Sequence, residues 1–321
     1  MKRLFLAAAA VLCGIFCPAQ EPSSRVIAPD GTFKYATKDG QDLYLDWYKP
    51  APGSTKDVNG IPKPAILFAF GGGFMSGSRY TSSYGNWFKT LTDNGYTVIS
   101  IDYRLGLKGA KNPGVNPAFI KKMDAAIAMA VEDLFSATNY VIEHAVQLGV
   151  DPRRIVVSGS SAGAMTVLQG EWEICNAHSC ASVLPRGFNY AGVMAFSGSI
   201  FSREGPIKYK EKVPCPTLMF HGTADRIVEY NKIAFLNLCF AGSSAISESM
   251  DKYGYCHRIY RFAGNSHEIS DSMQHNLDRE FDFLEQVVTK GLWTSADEML
   301  LDATFPIPDW VNGFSLDSMY H

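Results

Sequence analysis

The chain has 321 residues, of which 46% are hydrophobic and 19% are charged, a composition typical of a globular protein with a sizeable core. Its formal net charge is −3 and it shows no basic cluster, so the composition does not favour a nucleic-acid partner. A chain of this length fits one large α/β domain or two small domains.

The first residues have the organisation of a secretory signal. Lys2 and Arg3 form a short cationic segment, and residues 4–16 form an apolar segment. A small side chain then stands at each of the two positions that determine cleavage after Ala19. The sequence therefore predicts that residues 1–19 are a signal peptide and that the protein is exported, either to a periplasm or to the medium.

Residues 20–321 are expected to form a single domain without a stable membrane span. The apolar segment of the signal is too short to span a bilayer comfortably, and no other long apolar run follows it. A lipoprotein anchored through Cys17 is the less favoured alternative, because Phe16 is a poor residue to precede a lipidated cysteine.

Short apolar strands alternate with helical patterns along the rest of the chain. The predicted strands are residues 43–48 at an edge of the sheet, then 65–70, 97–103, 154–158, 190–196, 217–221 and 258–262. The predicted helices are residues 119–148, 162–174, 228–250 and 272–288, and the tail from residue 294 is expected to pack on the surface. This alternation predicts an α/β fold, with a mostly parallel central sheet and helices on both faces.

The most informative motif is Gly159-Ser160-Ser161-Ala162-Gly163. It lies between a β-branched strand and an Ala-rich helix, which is the strand, sharp turn and helix arrangement of a nucleophile elbow. The turn exposes the hydroxyl of the central serine, and the flanking glycines remove side chains that would clash with neighbouring backbone. Ser161 is therefore the predicted nucleophile, and Ser160 is the weaker candidate because it lies off centre.

A serine hydroxyl is a weak nucleophile that needs a histidine as base and an acid that orients the histidine. Asp225 follows the predicted strand over residues 217–221, and His267 follows the predicted strand over residues 258–262. Both side chains therefore lie in loops after late strands, in the order nucleophile, acid and base along the chain.

Other side chains compete for the acid and base roles. Glu229 and Asp251 are weaker alternatives for the acid, and His221 is the serious alternative for the base. Because His221 precedes the acid along the chain, we expect it to anchor the turn structurally. The remaining histidines lie in or at the start of helices, near cysteines or at the chain terminus.

Five cysteines remain after removal of the predicted signal: Cys175, Cys180, Cys215, Cys239 and Cys256. In an oxidising compartment this odd number predicts one or two disulfides and a free thiol. Cys175 with Cys180 and Cys239 with Cys256 are the nearest pairs, and Cys215 is expected to behave as a small buried hydrophobic residue. The spacings do not resemble a zinc site, and we predict no metal or other cofactor.

With these segments in place, the chain resembles the α/β-hydrolase superfamily over residues 40–290. Within the superfamily it is most similar to the carboxylesterase and lipase branch, which has a triple-glycine oxyanion loop. The resemblance implies that Ser161, Asp225 and His267 are the nucleophile, acid and base of a catalytic triad.

The resemblance also implies an oxyanion hole made of backbone N–H groups. One donor is Ala162, directly after the nucleophile, and the others are Gly72 and Gly73, with Gly71 as an alternative. The chain departs from the family pattern at Phe70, where relatives carry a histidine before the glycines. The hydrogen bonds that support the loop must therefore differ here.

These parts predict a serine esterase that hydrolyses small-molecule or polysaccharide-linked carboxylic esters through an acyl-serine intermediate, with short-chain, acetyl or feruloyl esters as candidate substrates. Two alternatives stay open. One is a serine peptidase of the prolyl-oligopeptidase type, although the chain has no room for the propeller of those relatives. The other is a non-catalytic binding protein on the same fold.

Aromatic side chains near the glycine loop either line a pocket or pack in the core; they are Phe74, Tyr80, Tyr84 and Trp87. The oligomeric state is left open.

Overall fold

The computed structural model describes residues 27–110 and 117–301. The predicted signal peptide and the tail beyond residue 301 lie outside these ranges. The strands are β1 (Gly31–Lys38), β2 (Gln41–Tyr48), β3 (Ala65–Ala69), β4 (Thr97–Ile101), β5 (Ile155–Ser160), β6 (Gly192–Phe196), β7 (Ser199–Ser202), β8 (Thr217–Gly222), β9 (Lys232–Phe235), β10 (Leu238–Gly242), β11 (His257–Phe262) and β12 (Ala296–Leu300).

Helices connect most of these strands. The α-helices are α1 (Ser82–Asp93), α2 (Pro117–Glu143), α3 (Ala145–Leu148), α4 (Ala162–Cys175), α5 (Ser243–Tyr253) and α6 (Leu277–Asp282). Three short 3₁₀ turns and one π-helical segment complete the set: Ser179–Val183, His267–Asp271, Met273–His275 and Phe283–Thr289.

The described residues form one large sheet and one small sheet. The large sheet has nine strands in the order β1-β2-β4-β3-β5-β6-β8-β11-β12, and the small sheet has the order β7-β10-β9. In the large sheet β1 pairs antiparallel with β2, and β2 pairs antiparallel with β4, whereas all later neighbours are parallel. The predicted fold class, α/β with a mostly parallel central sheet, is confirmed.

The central strands lie in the middle of the core. Every residue of β3, β4, β5, β6 and β8 is buried, so both faces of the sheet are covered. Because β3, β5, β8 and β11 run in the same direction, their carboxyl ends meet at one edge of the sheet. Loops that leave this edge are where open α/β sheets place their ligand sites.

Helix α2 is the one helix of the described residues that is long and apolar enough to cross a membrane by length and composition. Over its most apolar window 56% of the residues are buried inside the fold. Its buried positions include Ala126, Ala130 and Leu134, spaced four residues apart, and the helix packs on α4 and β1. Burial of this kind is the pattern of a core helix.

The strand at residues 43–48 was expected at a sheet edge, and that expectation is wrong. The strand is β2, and β1 covers it on the outside through a hairpin whose turn is Asp39-Gly40. Both turn residues have positive φ, 51° and 76°, as a tight two-residue hairpin turn requires. The Asp-Gly pair between two alternating segments was a readable hairpin signal.

The helix expected over residues 228–250 is also wrong in its first half. Strands β9 and β10 occupy this region as a hairpin, and α5 begins only at Ser243. Helix-forming residues such as Lys232 and Leu238 are overridden because β10 pairs along its length with β7. The intrinsic helix propensity of these residues does not depend on β7, so it could not indicate this pairing.

Two expectations near the end of the chain need correction. The single helix over residues 272–288 is instead a 3₁₀ turn, then α6, then a π-helical segment. The tail was expected to pack on the surface, but its first part is β12, which extends the central sheet as a parallel partner of β11.

The five described cysteines are all free, so the expected disulfides are wrong. Cys175 instead donates to the Glu171 carboxylate, and Cys256 donates to the carbonyl of Thr294.

Candidate active site

The predicted elbow has the backbone geometry that exposes a nucleophile. Ser161 lies between the end of β5 and the start of α4 with φ 49° and ψ −115°, a strained conformation for a residue with a side chain. The two flanking glycines permit the turn. A Cβ on Gly159 would lie 2.3 Å from the carbonyl carbon of Gly163, and a Cβ on Gly163 would lie 2.0 Å from the carbonyl oxygen of Ala69. The expectation that side chains at these glycines would clash is confirmed.

The three residues predicted as nucleophile, base and acid lie in one hydrogen-bonded chain. The Ser161 Oγ is 2.8 Å from the His267 Nε2, and the His267 Nδ1 is 2.7 Å from an Asp225 carboxylate oxygen. Because a carboxylate only accepts, Nδ1 carries the proton and Nε2 is left to accept from the serine hydroxyl. This is the tautomer that a general base for Ser161 needs.

Asp225 is held by several donors. One carboxylate oxygen accepts from the backbone N–H groups of Ile227 and Val228, at 2.9 and 3.0 Å. The other lies 3.2 Å from the His221 Nε2 as well as facing His267. Burial acts to raise the pKa of this carboxyl, but the charge interaction with His267 and the hydrogen bond from His221 outweigh it and hold the pKa well below its usual range. Asp225 is therefore a carboxylate at neutral pH.

His221 anchors the turn, as its place before the acid suggested. Its Nδ1 is 2.8 Å from the Ser243 Oγ, and its Nε2 is 3.1 Å from the Val228 carbonyl oxygen. The side chain is fully buried, and its polar partners are Ser243, Val228 and Asp225. The alternative acids do not reach His267, because Glu229 caps the N–H of Asn231 and Asp251 lies beside His257.

The acid loop and the histidine loop are locked together by contacts that the sequence did not indicate. Ala224 donates its N–H to the carbonyl of Asn265 at 2.8 Å. A Cβ on Gly222 would lie only 2.2 Å from the carbonyl oxygen of Ser266. The buried Glu268 carboxylate accepts from the Ser266 N–H and from the Asn265 side chain, which fixes the loop directly before and after the histidine.

The glycine loop lies against the elbow. A Cβ on Gly71 would lie 2.9 Å from the Ser160 Oγ and 3.3 Å from the Ser161 Cβ. Gly72 and Gly73 have φ of +128° and +62°, conformations that favour glycine. Their N–H groups, like that of Ala162 at the first position of α4, donate to no acceptor among the residues that the structure describes. Gly71 is different, because its N–H donates to the Tyr84 hydroxyl at 3.1 Å.

A cavity of about 340 Å³ opens over these residues. Its walls include the glycine loop, Ser161 and His267, and its remaining side chains are Met75, Ser76, Tyr84, Ser160, Ser270 and Asp271. Of the four aromatic candidates, Tyr84 lines the cavity, Phe74 and Trp87 are buried in the core, and Tyr80 is largely exposed. No group of three or more potential metal ligands forms among residues 27–110 and 117–301.

Two sequence families match parts of the chain. One, described as BD-FAE, matches residues 45–173, which include the glycine loop and Ser161. The other, described as Phospholipase/Carboxylesterase, matches residues 116–262, which include Ser161 and Asp225. His267 lies outside both matches.

Curated relatives match over 100 to 124 residues of the chain. Esterase B1 of Culex pipiens is 32% identical over 119 residues, 35% of this chain and 20% of its own length. Fumonisin B1 esterase of Sphingopyxis macrogoltabida is 30% identical over 124 residues, 38% of this chain and 21% of its own. Esterase LipI of Mycobacterium tuberculosis is 36% identical over 100 residues, 31% of this chain and 26% of its own. The chain thus spans about a quarter or less of the length of each.

Solved structures cover more of the chain. Esterase 2 of Thermogutta terrifontis with bound propionate is 24% identical, with a TM-score of 0.56 over 80% of this chain and 94% of its own. The same esterase phosphorylated by paraoxon matches with a TM-score of 0.54 at 22% identity, over 80% and 94% of the two chains. The strand order, the family matches and this likeness establish that the chain has the α/β-hydrolase fold.

Proposed function

We propose that this protein is an exported serine esterase that hydrolyses carboxylic esters through an acyl-serine intermediate. The observation that supports it is the continuous chain from the Ser161 Oγ through the His267 ring to the Asp225 carboxylate, which opens into a cavity. Esterase names among the matched relatives and the Thermogutta esterase agree with this chemistry.

In the first half-reaction, His267 Nε2 takes the proton from the Ser161 hydroxyl as the serine oxygen attacks the ester carbonyl carbon. The carbonyl oxygen becomes an oxyanion, and the unpaired N–H groups of Gly72, Gly73 and Ala162 are the donors we assign to it. His267 then gives its proton to the departing alcohol oxygen, and the acyl group stays on the serine.

In the second half-reaction, water attacks the acyl carbon while His267 accepts a proton from the water. The tetrahedral intermediate collapses, the proton passes to the Ser161 oxygen, and a carboxylic acid leaves. Asp225 stays ionised throughout, because its pKa is held low, and stabilises the imidazolium that forms in each step.

The cavity wall favours esters of hydroxyl-rich alcohols, which include carbohydrate-linked acetyl and feruloyl esters. The polar residues Ser76, Ser270 and Asp271 line it, with Met75 as its main large aliphatic side chain. Long acyl chains are best accommodated by several large aliphatic side chains, and Met75 is the one that lines the described cavity. Short and long nitrophenyl esters compared with acetylated xylan and methyl ferulate test this choice.

Ser161→Ala tests the activity itself. We expect the variant to lose hydrolysis of p-nitrophenyl acetate by at least about 10⁴-fold with an unchanged fold, because Ser161 carries the hydroxyl that is hydrogen-bonded to the His267 ring. Ser160→Ala is the matched control, and it is expected to keep most of the activity. A fluorophosphonate probe adds the second measurement: labelling of the wild type at residue 161 supports an enzyme.

Absence of labelling together with absence of turnover supports the non-catalytic binding protein instead. Peptide cleavage faster than ester cleavage, abolished by Ser161→Ala, supports the peptidase. The N-terminal sequence of protein recovered outside the cytoplasm tests export, and a mature chain that begins at Gln20 is the expected result.

A further inference from the structure

The glycine loop lacks the histidine that relatives carry before it, so something else must fix the loop. Phe70 stands at that position, fully buried and without a polar side-chain atom. Its ring stacks on Tyr103 with ring centres 4.4 Å apart. The glycines that follow have few conformational restraints of their own, so an unsupported loop would sample many backbone conformations.

The peptide unit between Phe70 and Gly71 precedes the oxyanion donors, and both its carbonyl and its N–H group are hydrogen-bonded. The Tyr103 hydroxyl donates to the carbonyl oxygen of Phe70 at 2.7 Å. The Tyr84 hydroxyl accepts from the N–H of Gly71 at 3.1 Å. The carbonyl of Phe70 and the N–H of Gly71 belong to the same planar peptide unit, so the two tyrosines hold its two sides.

Both tyrosines are themselves fixed and protonated. Burial, together with the charge of Asp271, raises the pKa of Tyr84 to about 12, and burial raises the pKa of Tyr103 well above its usual value. The ring of Tyr84 packs edge-on against Phe68, with ring centres 4.7 Å apart. The hydroxyl groups therefore have little freedom to move away from the peptide.

We propose that Tyr84 and Tyr103 are positioning residues that take over the role of the missing histidine: they clamp the Phe70–Gly71 peptide so that the N–H groups of Gly72 and Gly73 face the oxyanion. This inference rests on the proposed esterase function. A second contact closes the loop from the other side, because a Cβ on Gly77 would lie 2.4 Å from the Gly71 carbonyl oxygen.

Tyr84→Phe, Tyr103→Phe and the double variant test the clamp. Each removes one hydroxyl and keeps the ring. The expected result is a fall of about tenfold in kcat with KM within about twofold, because small misplacement of catalytic groups lowers turnover more than binding. The Ki of a trifluoromethyl ketone, which forms a tetrahedral adduct with the serine, rises by the same factor as kcat falls.

The double variant is expected to lose little more than the worse single variant, since both hydroxyls hold one peptide and their effects are not additive. Tyr96→Phe is the matched control. Tyr96 is also fully buried, but its hydroxyl has no partner among the described residues and does not line the cavity. It should change neither kcat nor Ki.

Variants that keep kcat and Ki within twofold of the wild type overturn the clamp, even if their melting temperature falls, because the hydroxyls then serve stability alone. A fall in kcat without a matching rise in Ki also overturns it. Failure of the proposed function gives different results. Either the wild type shows no ester hydrolysis, or the Ser161→Ala variant hydrolyses the ester as fast as the wild type.

Discussion

Two buried carboxyl groups of this protein show opposite ionisation. Asp225 accepts two backbone N–H groups and faces two histidines, and its pKa lies well below the usual range. Glu280 on α6 accepts one hydrogen bond, from the Trp87 indole N–H at 2.7 Å, and its other oxygen has no partner among the described residues. Burial raises the pKa of Glu280 to about 8.

The comparison shows that burial alone does not decide the charge of a carboxyl group. The number and the charge of its donors decide it. Backbone N–H groups of the turn that follows β8 donate to the Asp225 carboxylate. Glu280 lies on α6, and its carboxyl group accepts from the indole N–H of Trp87. One environment suits an ionised catalytic partner, and the other suits a neutral structural group.

Asp225→Asn is expected to have the largest effect. The amide donates to His267 Nδ1 or leaves it without an acceptor, so the base adopts the wrong tautomer; in serine proteases this change lowers kcat by about 10⁴-fold. Steady-state kinetics with p-nitrophenyl acetate measure it. Asp251→Asn, at the alternative acid, is the matched control. Comparable losses in the two variants would remove Asp225 from the triad.

Glu280→Gln is expected to change the pH dependence of stability. The neutral carboxyl is favoured in the folded state, so its contribution is complete below the unfolded pKa of about 4.5 and is lost as the pH rises toward about 8. The wild type should lose a few kcal/mol of unfolding free energy over this interval, and the glutamine variant should not. Urea unfolding at pH 5 and pH 8.5 measures the difference.

The control for this change is Glu285→Gln, on the exposed face of the following helical segment. It should leave the pH dependence of the wild type in place. Parallel stability curves for wild type and Glu280→Gln would mean that Glu280 is ionised in the folded protein, and the contrast with Asp225 would disappear.

His221→Phe is expected to have the smallest of the three effects. It removes one donor from Asp225 but leaves the two backbone N–H groups and His267, so kcat should fall by roughly tenfold, in line with the loss of one hydrogen bond to a charged group. In the Asp225→Asn background the same change should cost nothing further. His144→Phe is the control, and a loss that persists in the double variant would show that His221 acts elsewhere.

The sequence indicated what depends on neighbours along the chain. The elbow, the buried strands β3 to β6 and the order of Ser161, Asp225 and His267 all follow from local patterns, and the structure brings these three residues together. What it did not indicate depends on distant partners. The β9–β10 hairpin forms because β7 pairs with it, and β12 forms because β11 is available.

The same distinction holds within the candidate site. Tyr84 is one aromatic among several near the glycine loop, and nothing local marks it as the partner of Gly71, thirteen residues earlier. Asp271 and Glu268 lie beside the histidine in sequence, yet only the fold shows that one lines the cavity and the other braces the loop. The expected disulfides failed for the same reason, since pairs close in sequence need not be close or aligned in space.

The contact of Gly163 with Ala69 has a consequence for how activity is lost on heating. The start of α4 lies backbone to backbone against the end of β3. The Ser161 N–H donates to the carbonyl of Phe196, the last residue of β6. The Ser161 amide is thus tied to a central strand, and we expect its hydrogen to exchange slowly with solvent. Because the elbow is built on two central strands, we expect heating to disturb the position of Ser161 only when the packing of those strands loosens.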